Sequence, residues 1–73
     1  MNNSQIDLGI IIKSIRQEKG LTSKYVSDQL GISPSTLSKY ESNERKIKAD
    51  MVPSFAKVLN VAVEDIYNKS TTN

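Results

Sequence analysis

The sequence predicts an all-α fold, five short helices packed as one compact domain. Apolar residues recur three and four apart in several stretches, and no stretch alternates with β-branched enrichment. Gly20, Gly31, Asn43 and Asn60 stand where helices can end, and Pro34 and Pro53 where helices can begin. A chain of 73 residues has room for one hydrophobic core and no second domain.

Helix one spans about 6–19. Ser4 and Asp7 lie at capping-box spacing, Leu8, Ile11, Ile12 and Ile15 share one face, and Gly20 closes it. Ile10 lies off that stripe and reads either as an ordinary exposed apolar residue or as part of a partner surface. Helix two covers 22–30, with Thr22 as N-cap, Tyr25 or Val26 with Leu30 on its buried side, and Gly31 supplying a left-handed close. Helix three covers 33–43. Ser33 caps it, Pro34 takes the first position, and Leu37 and Tyr40 form its apolar face.

A charged loop follows, from Asn43 to Ala49. Asp50 as N-cap would start helix four at Met51 and place Pro53 in the first turn, with Val52, Phe55, Ala56 and Leu59 buried along 51–59. Helix five covers 63–68, Val61 and Ile66 close the core, and 69–73 read as a flexible polar tail.

Composition excludes several functions. The chain has neither cysteine nor histidine, which removes disulfides, thiolate zinc sites, the commonest metal ligand and the neutral-pH general base. Eight scattered carboxylates without a glycine-rich phosphate loop leave no catalytic constellation, so no enzyme, cofactor or metal is expected. The longest apolar run, Ile10 to Ile12, is far below the roughly 18 residues of a membrane span. With no export signal or presequence, the expectation is a cytoplasmic protein without membrane contact or a small-molecule sensor.

Ten Lys and Arg against eight Asp and Glu leave a net charge of only +2, so its distribution matters more. Lys39, Arg45, Lys46 and Lys48 outnumber Glu41 and Glu44 in the centre, whereas Asp50, Glu64 and Asp65 outnumber Lys57 beyond it.

A helix of about eight residues, a short turn containing Gly31, and a helix with short polar side chains outward together form the layout of a DNA-binding helix-turn-helix. On that geometry Ser35, Thr36, Ser38 and Lys39 face base edges in the major groove, with Lys39 the most directional because it can donate to guanine O6 and N7. Thr22, Ser23, Lys24 and Ser33 gather at helix N-termini suited to phosphate oxygens. Asn43, Arg45, Lys46 and Lys48 follow the recognition helix toward a phosphate strand or the minor groove. The competing reading of the loop cations is a merely solvated surface, and of the hydroxyls ordinary capping.

These residues resemble the lambda-repressor-like, Cro and Xre-type helix-turn-helix regulators of phages and bacteria, from about Leu8 to Tyr67. The matches are Leu8-Gly9, Ile15-Arg16, Gly20-Leu21-Thr22, Leu30-Gly31-Ile32-Ser33, Ser35 to Glu41, Arg45, Leu59-Asn60-Val61 and Glu64-Asp65-Ile66. The resemblance implies a five-helix domain, a homodimer on a palindromic operator, and an Arg16–Glu41 pair bracing helix one against helix three. The chain departs from the family in having Ser23 in place of a phosphate-holding Gln and Ser27 in place of a small Ala. Ile47-Lys48 replaces Pro followed by Ser or Thr before the fourth helix. Ser27 then needs a hydrogen-bond partner, such as a carbonyl one turn back.

Two functions from different classes follow as expectations. One is a transcriptional repressor bound to double-stranded DNA as a homodimer. The other is an interaction module of the same fold, antirepressor- or antitoxin-like, that binds a regulatory protein partner. Val63, Ile66 and Tyr67 are the candidate dimer surface, since a small end helix can leave apolar area uncovered.

Overall fold

A computed structural model describes residues 7–71, and for 70–71 the backbone alone. Five α-helices follow one another: α1 Leu8–Glu18, α2 Ser23–Leu30, α3 Pro34–Glu41, α4 Val52–Leu59 and α5 Val63–Thr71, with a 3₁₀ turn at Ala49–Met51. The described residues contain no strand, and no helix among them is long and apolar enough to cross a membrane.

The core forms where the apolar stripes meet. Ile12 and Ile15 from α1, Val26 from α2, Leu37 and Tyr40 from α3, Val52, Phe55, Ala56 and Leu59 from α4 and Ile66 from α5 are all buried. Tyr40 and Phe55 meet edge to face, with ring centroids 6.0 Å apart and planes at 81°. Leu8, Ile11, Leu30 and Val61 pack partly buried around this centre, while Ile10 is exposed. Helix two resolves its ambiguity in favour of Val26, leaving Tyr25 46% exposed.

Local chemistry sets most helix ends. Thr22 Oγ1 accepts the Tyr25 N–H at 3.0 Å, and Ser33 Oγ accepts the Thr36 N–H at 3.1 Å. Gly31 at φ 73° and Asn60 at φ 60° take the left-handed conformation that closes α2 and α4. The buried Ser27 hydroxyl donates to the Lys24 carbonyl at 3.1 Å, so its polar group is satisfied one turn back in its own helix. Because that carbonyl is also within reach of the helical ladder, Ser27→Ala should change stability by less than about 1 kcal/mol in a denaturant titration. A larger loss would show that the hydroxyl does more than satisfy itself.

Three boundaries differ from expectation. Asp7 precedes α1 as its N-cap residue, but its carboxylate makes no capping bond. It accepts instead from the Asn43 side chain at 2.8 Å; Ser4 lies outside the described residues. Asp50 does not cap α4, because the chain tightens first into the 3₁₀ turn, where the Met51 N–H donates to the Lys48 carbonyl at 2.9 Å. The α-helix then starts at Val52, and Pro53 still falls in the first turn, where no donor is required.

The third difference lies at the end of the chain, where residues 69–71 continue α5 rather than forming a flexible tail. The Asp65 carboxylate accepts the Ala62 N–H at 3.1 Å at the start of this helix. The Lys69 ammonium donates to Glu18 of α1 at 3.2 Å near its end, so both ends have partners. Residues 72–73 of the expected tail lie outside the described residues.

Candidate nucleic-acid interface

The outer face of α3 is built by elimination. Leu37, Tyr40 and Glu41 turn inward, which leaves Ser35, Ser38 and Lys39 exposed and Thr36 half-buried on the opposite side. Ser35 is three and four residues from Ser38 and Lys39, and Thr36 is three from Lys39, so all four form one continuous surface. Only a short turn, Gly31-Ile32-Ser33, separates α2 from α3. The Gly31 N–H donates to Asp28 and the Ile32 N–H to Ser27, at 3.2 and 3.0 Å, which holds the two helices in a set relation.

Behind this surface lies the most buried charge pair of the described residues. The Arg16 guanidinium grips both oxygens of Glu41, Nε to Oε2 at 2.8 Å and Nη2 to Oε1 at 3.2 Å, and its Nη1 donates to the Leu21 carbonyl at 2.9 Å. The two side chains are only 11% and 7% exposed. Three N–H groups therefore find partners, and the end of α3 is tied to α1 and to the entry of α2.

The loop after α3 is anchored at three points. Asn43 adopts φ 67°, and its amide donates to Asp7. The Arg45 N–H donates to the Lys39 carbonyl at 3.1 Å, and the Arg45 guanidinium lies over the Tyr40 ring, 5.8 Å from its centroid. Arg45, Lys46 and Lys48 are exposed along a segment that starts at the C-terminal end of α3.

The remaining candidates divide. Thr22 and Ser33 cap α2 and α3, and Ser23 is half-buried in the first turn of α2. The Lys24 ammonium, on the exposed side of α2, pairs with Asp28 one turn on at 2.9 Å, and the Asn43 amide donates to Asp7 ahead of α1.

Of the candidate dimer residues, Ile66 is wholly buried, because α5 turns that side chain into the core beside α1 and α4. It cannot meet a second chain. Val63 is 37% exposed and Tyr67 is half-buried. Sequence reasoning missed the Asp7–Asn43 link and the Arg45–Tyr40 stacking. The first joins groups 36 residues apart, for which no local pattern gives a signal, whereas the Tyr-x₄-Arg spacing of the second offers only a weak one.

Two short helices joined through a tight left-handed turn, the second with its polar face outward and its apolar face in the core, define a class: the DNA-binding helix-turn-helix proteins. The helix-turn-helix family profile matches residues 12–66, and the chain belongs to that family, among its Xre and lambda-repressor-like members.

Solved structures agree. The clp gene regulator ClgR from C. glutamicum superposes with a TM-score of 0.83 at 25% identity, covering 89% of this chain and 84% of that one. The wild-type restriction-modification controller protein C.Esp1396I gives 0.77 at 23%, covering 88% and 83%. The controller protein C.AhdI from Aeromonas hydrophila gives 0.73 at 18%, covering 84% and 92%. A comparison with curated proteins finds no match. Family and fold together make this chain a DNA-binding regulator.

Proposed function

We propose that the protein is a sequence-specific repressor of transcription in the cytoplasm. It binds double-stranded DNA as a homodimer, with α3 of each copy in the major groove of one half of a palindromic operator. The observation that carries this reading is the face of α3. Ser35, Thr36, Ser38 and Lys39 stand outward on a helix whose opposite side is locked into the core and whose end is held by the Arg16–Glu41 pair. A rigid helix with short polar side chains can approach base edges closely, and Lys39 adds a donor matched to guanine O6 and N7.

Phosphate contacts supply the affinity. The phosphate ligands in this reading are Thr22, Ser23 and Ser33 at the starts of α2 and α3, and Arg45, Lys46 and Lys48 in the exposed loop that follows α3. Arg45, stacked on Tyr40, is placed to reach a flanking phosphate or the minor groove. The helix dipoles and loop cations provide this attraction although the net charge is only +2. Val63 and the half-buried Tyr67 supply apolar surface for pairing two copies, whose recognition helices would then lie about one DNA turn, roughly 34 Å, apart.

Selection from a random duplex pool at about physiological salt tests the reading, because non-specific electrostatic binding is weak there. An inverted repeat is the expected product. Well-folded protein that enriches no motif would replace this reading with the protein-interaction module.

Two substitutions separate reading from holding. Lys39→Ala should weaken the selected operator about tenfold or more and random DNA little, whereas Lys46→Ala should weaken both alike and reduce the salt slope by about one. Equal losses on both duplexes for Lys39→Ala would remove it from the base-reading set.

A further inference from the structure

Three hydroxyls at the start of α3 form a closed donor and acceptor set, and we infer that Ser33 is a positioning residue for base specificity. It turns the Ser35 proton inward, so that Ser35 meets DNA only as an acceptor and takes a base with an exocyclic amino group, adenine or cytosine. This assignment rests on the base-reading role proposed for α3.

Valence supports it. A serine hydroxyl carries one proton and two lone pairs. Ser33 Oγ accepts the Thr36 N–H at 3.1 Å and donates its proton to Thr36 Oγ1 at 3.0 Å. That proton is committed, so in the 3.1 Å contact between Ser33 Oγ and Ser35 Oγ the donor is Ser35. Ser33 is then saturated, with one bond donated and two accepted.

Ser35 is left with lone pairs facing outward and nothing to donate. In the major groove, adenine N6 and cytosine N4 are the donors, while guanine N7 and O6, adenine N7 and thymine O4 only accept. A freely rotating hydroxyl can satisfy either kind, which makes serine an unselective reader. Tied to Ser33, it distinguishes them. Thr36 has the opposite polarity: it accepts from Ser33 and keeps its own proton for a phosphate or base acceptor.

The test starts from the operator selected by the wild-type protein, on which Ser35→Ala locates the base pair that Ser35 contacts. At that pair, deleting the amino group, with purine for adenine or 2-pyrimidinone for cytosine, should weaken the wild-type protein about fivefold and Ser35→Ala not at all. Replacing the purine N7 by CH at the same pair should change nothing. Ser33→Gly retains an acceptable N-cap residue and frees the Ser35 proton, so the amino deletion should then cost less than about twofold.

The assignment is overturned if the wild-type protein tolerates amino deletion but loses several-fold on N7 deletion, if Ser35→Ala alters no base preference, or if folded Ser33→Gly keeps the full amino effect. The first two of these results need no Ser33 variant. A wild-type protein that selects no operator at all would instead end the base-reading role of α3, and this assignment with it.

Discussion

Arg16→Ala is expected to lower the melting temperature by about 15 °C or more. Arg16 and Glu41 are almost wholly buried, so removing the guanidinium strands a carboxylate whose two oxygens have lost their donors. Breaking a buried pair from one side costs about 3–5 kcal/mol. A domain of this length has a total stability of about 4–11 kcal/mol at the usual value per residue, and each kcal/mol moves the midpoint by about 4–8 °C.

Glu41→Ala should be milder than Arg16→Ala if the Leu21 carbonyl continues to hold the guanidinium. The paired replacement Arg16→Met with Glu41→Leu should recover most of the loss, since apolar side chains of similar volume can replace a buried ion pair. Thermal unfolding followed by circular dichroism measures all three. An unchanged midpoint for Arg16→Ala would mean that the pair contributes no more than an exposed one.

Gly9→Ala carries the second large effect, and its sign runs against helix propensity. In an isolated helix the change gains about 1 kcal/mol. Here a methyl group at position 9 would overlap the Tyr40 carbonyl oxygen and stand 2.7 Å from the Asn43 side-chain oxygen. The nearer obstacle is backbone, which no rotamer change relieves, so α1 and α3 must separate and the Asp7–Asn43 bond between them must stretch. A net loss of about 3 kcal/mol or more is expected, at the upper end of the usual cost of overpacking. Gln17→Ala, at an exposed position on the same helix, is the control and should be close to neutral. Denaturant midpoints that place Gly9→Ala at or above the wild type would disprove the close approach.

Element types and order were legible because their signals are local. Thr22 and Ser33 cap the helices that follow them, and Gly31 and Asn60 turn left-handed where those helices stop. Each of these bonds or backbone angles spans four residues or fewer, so chain neighbours suffice to specify it. The inward and outward faces of α3 were also legible, because Leu37 and Tyr40 leave the intervening positions no direction but outward.

The start of α4 was less legible. A proline shows that a helix begins nearby, but whether the preceding turn closes as 3₁₀ or α depends on how Met51 seats against the core. Ile66 failed as a dimer residue for a related reason. Its spacing identifies one apolar side of α5, and only the packing of α1 and α4 decides whether that side faces the core or a second copy.

By itself, therefore, the sequence determined an all-helical domain, the position of its helix-turn-helix and which residues of α3 face outward. Periodicity, caps and left-handed turns are properties of short segments. The tertiary structure alone decided how the polar groups are used. It gave the Asp7 carboxylate to Asn43 rather than to its own helix, set Lys69 on Glu18 where α5 continues past the expected helix end, and placed the Arg45 guanidinium over Tyr40. It also made Gly9 the point where two helices nearly touch. Those partners lie from 5 to 51 residues apart in the chain. Which of them meet depends on how the helices pack, a collective outcome of burying one core that no short window contains.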